Sequence, residues 1–373
     1  MNPERCDALV VGGGPAGSSC AWKLVQAGLD VLVLDKQTFP RDKVCAGWVT
    51  PPVMESLGLD LEHYRHERVL QPITGFRTAL INGPPVVTGY DRTVSYGIRR
   101  CEFDHYLLQH SRARLALGEP LTGIERVDKL WRINGRIETP LLIGAGGHFC
   151  PVARYLGANL GSTERVVAAK EVEYEMTAVQ RRTCRVEGER PELYFCRDLR
   201  GYGWVFRKGD YLNIGLGRED NHKLAEQLED FLDFLRRRQR IPDDVPARFK
   251  GHAYLLQGHG DRKRLDDGVL LVGDAAGLAS PQSGEGIRPA VESGLLAAAV
   301  IGAAGGDYSA AALTPYGQRL AARFGGSLSS APGVTGRSLR NFLGGRLLGS
   351  AWFTRHVVLD RWFLHSKQPP LQV

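Results

Sequence analysis

The chain has 373 residues, 43% hydrophobic and 24% charged, the balance of a folded chain with room for two domains. No apolar run reaches the ~18 residues that span a bilayer. The formal net charge of +7 falls entirely in residues 308–373, where eight basic residues accompany one acid, Asp360. Residues 1–5 are polar, so no signal peptide is expected. The seven cysteines, Cys6, Cys20, Cys45, Cys101, Cys150, Cys184 and Cys196, form no CxxC pair. That pattern argues against a zinc site and fits a reduced, cytoplasmic setting.

The apolar run Ala8-Leu9-Val10-Val11 predicts a strand buried on both faces. Gly12-Gly13-Gly14-Pro15-Ala16-Gly17 follows, then a predicted helix over 18–27, then a strand ending in Asp35. This βαβ unit carries a dinucleotide fingerprint: Gly12 for the turn, Gly14 for approach of a pyrophosphate, Gly17 for helix–strand packing. The helix N-terminus, with Pro15 and Ala16, attracts phosphate charge. Asp35, with Lys36 beside it, suits an unphosphorylated adenosine ribose and so FAD or NAD. Further on, Tyr202, Trp204 and Phe206 alternate, which places all three on one face of a strand. A helix is expected over 223–240. Gly268-Val269-Leu270-Leu271-Val272-Gly273-Asp274 reads as another buried strand running into a glycine-flanked aspartate. A carboxylate there can bind ribityl hydroxyls. Gly284, Gly286 and Ile287, before a helix expected over 288–304, can present N–H groups to a pyrophosphate or flavin ring. This second element turns the reading from NAD to FAD.

With both motifs placed, the chain resembles the FAD-dependent oxidoreductases of the para-hydroxybenzoate hydroxylase fold, and among them the geranylgeranyl reductase family, from residue 5 to about 300. The segment Phe39-Pro40-Arg41-Asp42-Lys43-Val44-Cys45-Ala46-Gly47-Trp48 carries part of the likeness. The resemblance implies cofactor contact by Arg41, and places Cys45, Ala46 and Gly47 beside the flavin and substrate cavity. The family's second glycine is here Trp48, which would narrow that cavity. Arg100-Cys101-Glu102-Phe103-Asp104 matches a helix whose arginine points at the cofactor. Gly144-Ala145-Gly146-Gly147 stands where the hydroxylases have G-A-D-G; with Ala145 and Gly146 at the cofactor, the missing aspartate argues against hydroxylase-style NADPH use. Tyr202-Gly203-Trp204-Val205-Phe206 resembles the family's Y-x-W-x-F-P segment, with Arg207 in place of proline and the rings as a pocket wall.

The resemblance implies an α/β chain, α+β overall. A discontinuous FAD-binding domain (1–75, 95–165 and 250–320) is interleaved with an antiparallel substrate sheet (75–95 and 165–250), and a helical region covers 320–373. The expected activity is hydride transfer from reduced flavin to C=C bonds of an isoprenoid-type substrate. Cys45 is the candidate catalytic residue, and Trp48, Tyr202, Trp204 and Phe206 are candidates for substrate binding. No second fingerprint marks a nicotinamide domain, so the electron donor, NAD(P)H or a reduced carrier, is external. Two alternatives stay open: a flavin monooxygenase on an aromatic or polyketide-like substrate, and a flavin- or lipid-binding accessory protein. Apolar residues interleave the basic tail, including Leu339, Phe342, Leu343, Trp352, Trp362 and Phe363. That pattern suits either an anionic lipid surface or a subdomain packed on the body. No nucleic-acid motif accompanies it.

Overall fold

The computed structural model describes residues 3–158, 166–219, 223–260, 262–325 and 347–373. Its spine is a six-stranded sheet in the order Leu265–Asp266, Val269–Leu271, Leu141–Gly144, Ala8–Val11, Val31–Asp35, Arg114–Leu117. Neighbours run parallel except at the edge strand Leu265–Asp266. Ala8–Val11 and Leu141–Gly144 are buried along their whole length, as expected of parallel strands shielded from water on both faces. The helices that position the site are α1 (Pro15–Gln26), α2 (Arg100–His110), α3 (Leu224–Arg237) and α4 (Ile287–Ala303). α1 and α4 pack closely together, since a Cβ on Gly294 would stand 2.3 Å from the Ala16 carbonyl oxygen.

A seven-stranded sheet forms the second layer, in the order Lys250–Leu255, Val166–Glu175, Tyr211–Arg218, Gly201–Lys208, Glu192–Phe195, Gly75–Leu80, Val86–Gly89. It departs from the expected antiparallel sheet at one junction, where Glu192–Phe195 runs parallel to Gly75–Leu80. The reason is topological. The chain leaves this layer after Gly89 and returns only at Val166, and a parallel pair needs such a long connection. One face of the sheet packs on α3, whose Leu224, Leu228, Phe231, Leu232 and Leu235 recur at helical spacing and are all buried. The helix is shorter than the expected 223–240, and Arg240 lies beyond it in an ion pair with Glu192.

The other face carries Tyr202, Trp204 and Phe206, and the described part of the tail lies over it. Helical turns continue from Ala351 to Phe363, the last ten residues in π geometry. Leu348, Val358, Leu359, Phe363 and Leu364 pack with Trp204, Phe206 and Trp48, while Arg355, Arg361 and Lys367 are exposed. The tail residues Arg337, Leu339, Arg340, Phe342, Leu343 and Arg346 lie outside the described residues. No helix among the described residues is long and apolar enough to cross a membrane.

Candidate active site

The two glycine motifs meet in space. A Cβ on Gly273 would stand 2.9 Å from Ala16 Cβ, and one on Gly12 would stand 2.4 Å from the Ala145 carbonyl oxygen and 2.8 Å from Gly146 N. The Gly13 N–H donates to Asp35 Oδ2 at 2.7 Å and the Gln37 N–H to Oδ1 at 2.9 Å, so this carboxylate braces the turn at the strand end. Lys36 is exposed beside it. Gly14 caps α1 and Pro15 opens it, leaving first-turn N–H groups without intrahelical acceptors. Arg41 stands over this turn, with Nη2 3.4 Å from where a Cβ on Gly14 would be.

Arg41 Nη1 lies 3.1 Å from Asp104 Oδ2, and Arg100 grips the same carboxylate with two bonds of 2.8 Å. Two guanidiniums thus share one fully buried acid, and the surplus positive charge sits at a helix N-terminus, where an anionic group is favoured. Asp274 lies in the short helical turn Gly273–Ala276. The Arg262 guanidinium pins that turn by donating to the carbonyls of Asp274 (3.1 Å) and Ala275 (3.0 Å). The Asp274 side chain accepts no hydrogen bond from the described residues, and a Cβ on Gly286 would meet only its Oδ1, at 3.3 Å. Gly14, Gly286, the shared cation and the open carboxylate fit a dinucleotide with a pyrophosphate and a polyol. Ile287 begins α4 and is buried in an apolar cluster with Val49 and Phe103.

Cys45 is half-buried, and its loop is clamped by side chains from the sheet. Its N–H donates to Glu171 Oε2 at 2.7 Å, and its carbonyl accepts from Asn213 Nδ2 at 3.1 Å. The Trp204 indole N–H in turn donates to Asn213 Oδ1 at 2.7 Å. The thiol accepts the Gly47 N–H at 3.4 Å, with Ala46 between them packed at the edge of the aromatic cluster. The Lys208 ammonium is buried and donates to Glu173 (2.7 Å) and to the Ile98 carbonyl (2.9 Å). Burial pushes the Glu171 carboxyl up to about 8 against the pull of Lys208. On the same sheet face Lys43 donates to His252 Nε2 at 2.5 Å. Burial brings Lys43 down to about 8 despite Asp274, and burial together with Lys43 brings His252 down to about 3. The imidazole is therefore a neutral acceptor at physiological pH.

The aromatic residues share one face as expected. Trp48 packs its ring 5.5 to 5.6 Å from those of Phe76, Phe206 and Phe363. Trp204 lies flat across its neighbouring strand, where a Cβ on Gly215 would stand 2.2 Å from the indole. The Tyr202 hydroxyl donates to the Ser283 carbonyl at 2.6 Å. The Tyr254 hydroxyl stands 2.4 Å from where a Cβ on Gly284 would be, so that glycine admits the ring. Burial raises both phenols, which stay protonated. The sequence reading missed Glu171, Glu173, Lys208, Asn213, Lys43, His252 and Tyr254. Only the acid alternation Glu171, Glu173 inside a strand pattern offered a signal, since it sets two charges on one face.

Residues 10–42 match the NAD(P)-binding Rossmann-like domain family. The digeranylgeranylglycerophospholipid reductase of Methanocaldococcus jannaschii is 32% identical over 84% of this chain and 81% of its own length. The geranylgeranyl diphosphate reductase of Rhodobacter capsulatus is 32% identical over 79% and 74%. The chain belongs to the geranylgeranyl reductase family. A solved geranylgeranyl bacteriochlorophyll reductase-like structure from Thermoplasma acidophilum shares the fold, with a TM-score of 0.75 at 22% identity over 92% of this chain and 88% of that one. Like its family, the chain is an FAD-dependent oxidoreductase, and the open cradle between the two glycine motifs is where its residues fit that cofactor.

Proposed function

We propose that this protein saturates carbon–carbon double bonds of an isoprenoid-type lipid. The observation that supports this most directly is the aromatic wall of Tyr202, Trp204, Phe206 and Trp48 beside the Cys45 loop and the 283–286 loop. Gly12, Gly14, Gly17, Arg41, Arg100, Asp274 and Gly286 hold FAD across the cradle, with Asp35 at its adenosine end. Reduced FAD supplies the hydride. The wall excludes water and orients the apolar chain, and the second carbon of the double bond takes a proton. Glu171, kept neutral by burial at the Cys45 loop, and the Tyr202 hydroxyl are the protonated groups nearest this wall. An external donor, NAD(P)H or a reduced carrier, restores the electrons.

The test is anaerobic. Dithionite reduces the flavin, a geranylgeranyl lipid is added, and the product is weighed by mass spectrometry. A gain of one H2 per saturated bond is expected, and no gain overturns the reading. Cys45→Ser is compared in the same assay, and unchanged activity removes the thiol from the mechanism.

Peripheral contact with an anionic membrane belongs to the same proposal. Trp352 and Leu347 are 66% and 45% exposed, and Arg355 and Arg361 are exposed near them in sequence. Apolar side chains with basic neighbours insert at a headgroup boundary. Co-sedimentation with phosphatidylglycerol vesicles should exceed that with phosphatidylcholine, and Trp352→Ser should reduce it. Equal sedimentation of the two proteins would remove this face from consideration.

A further inference from the structure

A cavity of about 550 Å³ opens between the first turn of α4, the 278–285 loop and the last described segment of the tail. It adjoins the aromatic wall without belonging to it. Glu285 lines the cavity two residues from Ser283, whose carbonyl takes the Tyr202 hydroxyl. Trp362 lines it as well, and the next residue, Phe363, packs its ring 5.4 Å from that of Tyr202.

The cavity holds an unsatisfied cation. Arg288 is 2% exposed and lines it. Its Nε donates to Glu292 Oε1 at 2.9 Å and its Nη2 reaches the Gln368 carbonyl at 3.5 Å. Its Nη1 has no hydrogen-bond partner among the described residues. Glu292 does not neutralise the site, because Arg323 binds the same carboxylate with bonds of 2.8 and 2.7 Å. Two guanidiniums again share one buried acid. Arg361 and Lys367 add exposed cations at the rim. Asp360 also lines the cavity, but it is engaged by the Tyr90 hydroxyl at 2.7 Å and by His356 at 3.2 Å. Glu285 is the counterpoint. Both its oxygens are buried without a hydrogen bond, and His365 Nε2 is 3.3 Å away.

A buried donor without an acceptor is destabilising unless something completes it. Here the missing partner of Arg288 is an oxyanion, placed at a helix N-terminus that favours one. The missing partner of Glu285 is a hydrogen-bond donor, such as a hydroxyl. A phosphate ester of a polyol supplies both. Resting on the reductase reading for the existence of an isoprenoid tail, we propose that this cavity seats the phosphate-bearing headgroup of the lipid substrate. Arg288, Arg361 and Lys367 meet the phosphate, Glu285 meets a headgroup hydroxyl, and the chain runs past Trp362 and Phe363 to the aromatic wall.

The test measures binding without turnover, on FAD-loaded protein, by quenching of tryptophan fluorescence. The ligands are a geranylgeranyl ether of glycerol phosphate, the same ether of glycerol without phosphate, free glycerol phosphate and inorganic phosphate. The phosphorylated lipid should bind at least tenfold more tightly than its unphosphorylated twin. Arg288→Gln should abolish that preference. Because Arg288→Gln also disturbs Glu292, the exposed rim pair Arg361→Glu with Lys367→Glu provides a second test, with the same loss and the neutral lipid bound within twofold of wild type. Equal binding of the two lipids by wild type, or a preference surviving in the rim variant, overturns the proposal. Free glycerol phosphate or inorganic phosphate binding as tightly as the lipid assigns the cavity to a soluble phosphate and overturns the headgroup assignment. Turnover is a separate result: a bound phosphorylated lipid that is never reduced refutes the reductase reading and leaves the headgroup site standing.

Discussion

Trp48 and Glu171 show how single side chains set the character of the site. Where the family's common pattern has glycine, Trp48 fills the wall, 8% exposed, against three other rings. Trp48→Gly should therefore lower unfolding free energy by about 3–5 kcal/mol while admitting bulkier chains, and denaturant unfolding beside a substrate-length series would show both. Glu171 makes a prediction about pH. Its carboxyl rises from the usual 4.5 to about 8 on folding, so between those values the unfolded chain loses a proton that the folded one keeps. Stability then falls as pH rises through this window, by up to about 1.4 kcal/mol per unit, and the full cost is present above about 8. Glu171→Gln should flatten that slope in urea titrations between pH 5 and 8. A slope unchanged in the mutant would show that Glu171 ionises normally. Lys43 acts in the opposite direction and higher up, because its depressed value of about 8 makes stability rise with pH only above that point.

At the scale of elements, the Gly201–Lys208 and Tyr211–Arg218 strands work as one unit. Trp204 is paired with Gly215 in register, and its ring occupies the space a side chain there would need. Gly215→Ala should cost about 1–3 kcal/mol by overpacking, and it should shift tryptophan emission, since the indole must leave Asn213. An unshifted spectrum would mean that the ring had another resting place. The same pair explains what sequence could and could not reveal. Gly12 to Gly17, Asp35 and the strand before Asp274 are local patterns, each read from a dozen residues, and they locate the cofactor cradle. The clamp on Cys45 is different. Glu171, Asn213 and Trp204 come from three strands and meet only through sheet register, which no local spacing encodes. The parallel junction of Glu192–Phe195 with Gly75–Leu80 was hidden for the same reason. Arg100 with Asp104 was half-legible: the four-residue spacing suggests a helical pair, but not that Arg41 joins it.

Across the whole molecule, the cradle and the wall are joined by segments far apart in sequence. FAD binding should stabilise the fold by about 2.7 kcal/mol at a hundredfold excess over Kd, seen as a rise in melting temperature. Asp274→Ala should lose most of that rise, and a full rise in the mutant would place the polyol contact elsewhere. The tail contributes packing across the entire chain. Phe363 is 1% exposed among rings from Trp48, Phe195 and Tyr202, and Phe363→Ala should destabilise by about 3–5 kcal/mol.

The placement of that tail has a consequence in time. A ribosome makes the Tyr202, Trp204 and Phe206 strand roughly 150 residues before it makes the residues that cover it. At about 5–20 residues per second, the wall waits many seconds with its rings open to solvent and to neighbouring chains. Nascent chains released short of residue 348 should therefore be captured by chaperones or aggregate, while full-length ones do not. Slower elongation would lengthen that exposure, so yield of soluble protein becomes a matter of synthesis rate as well as of final stability.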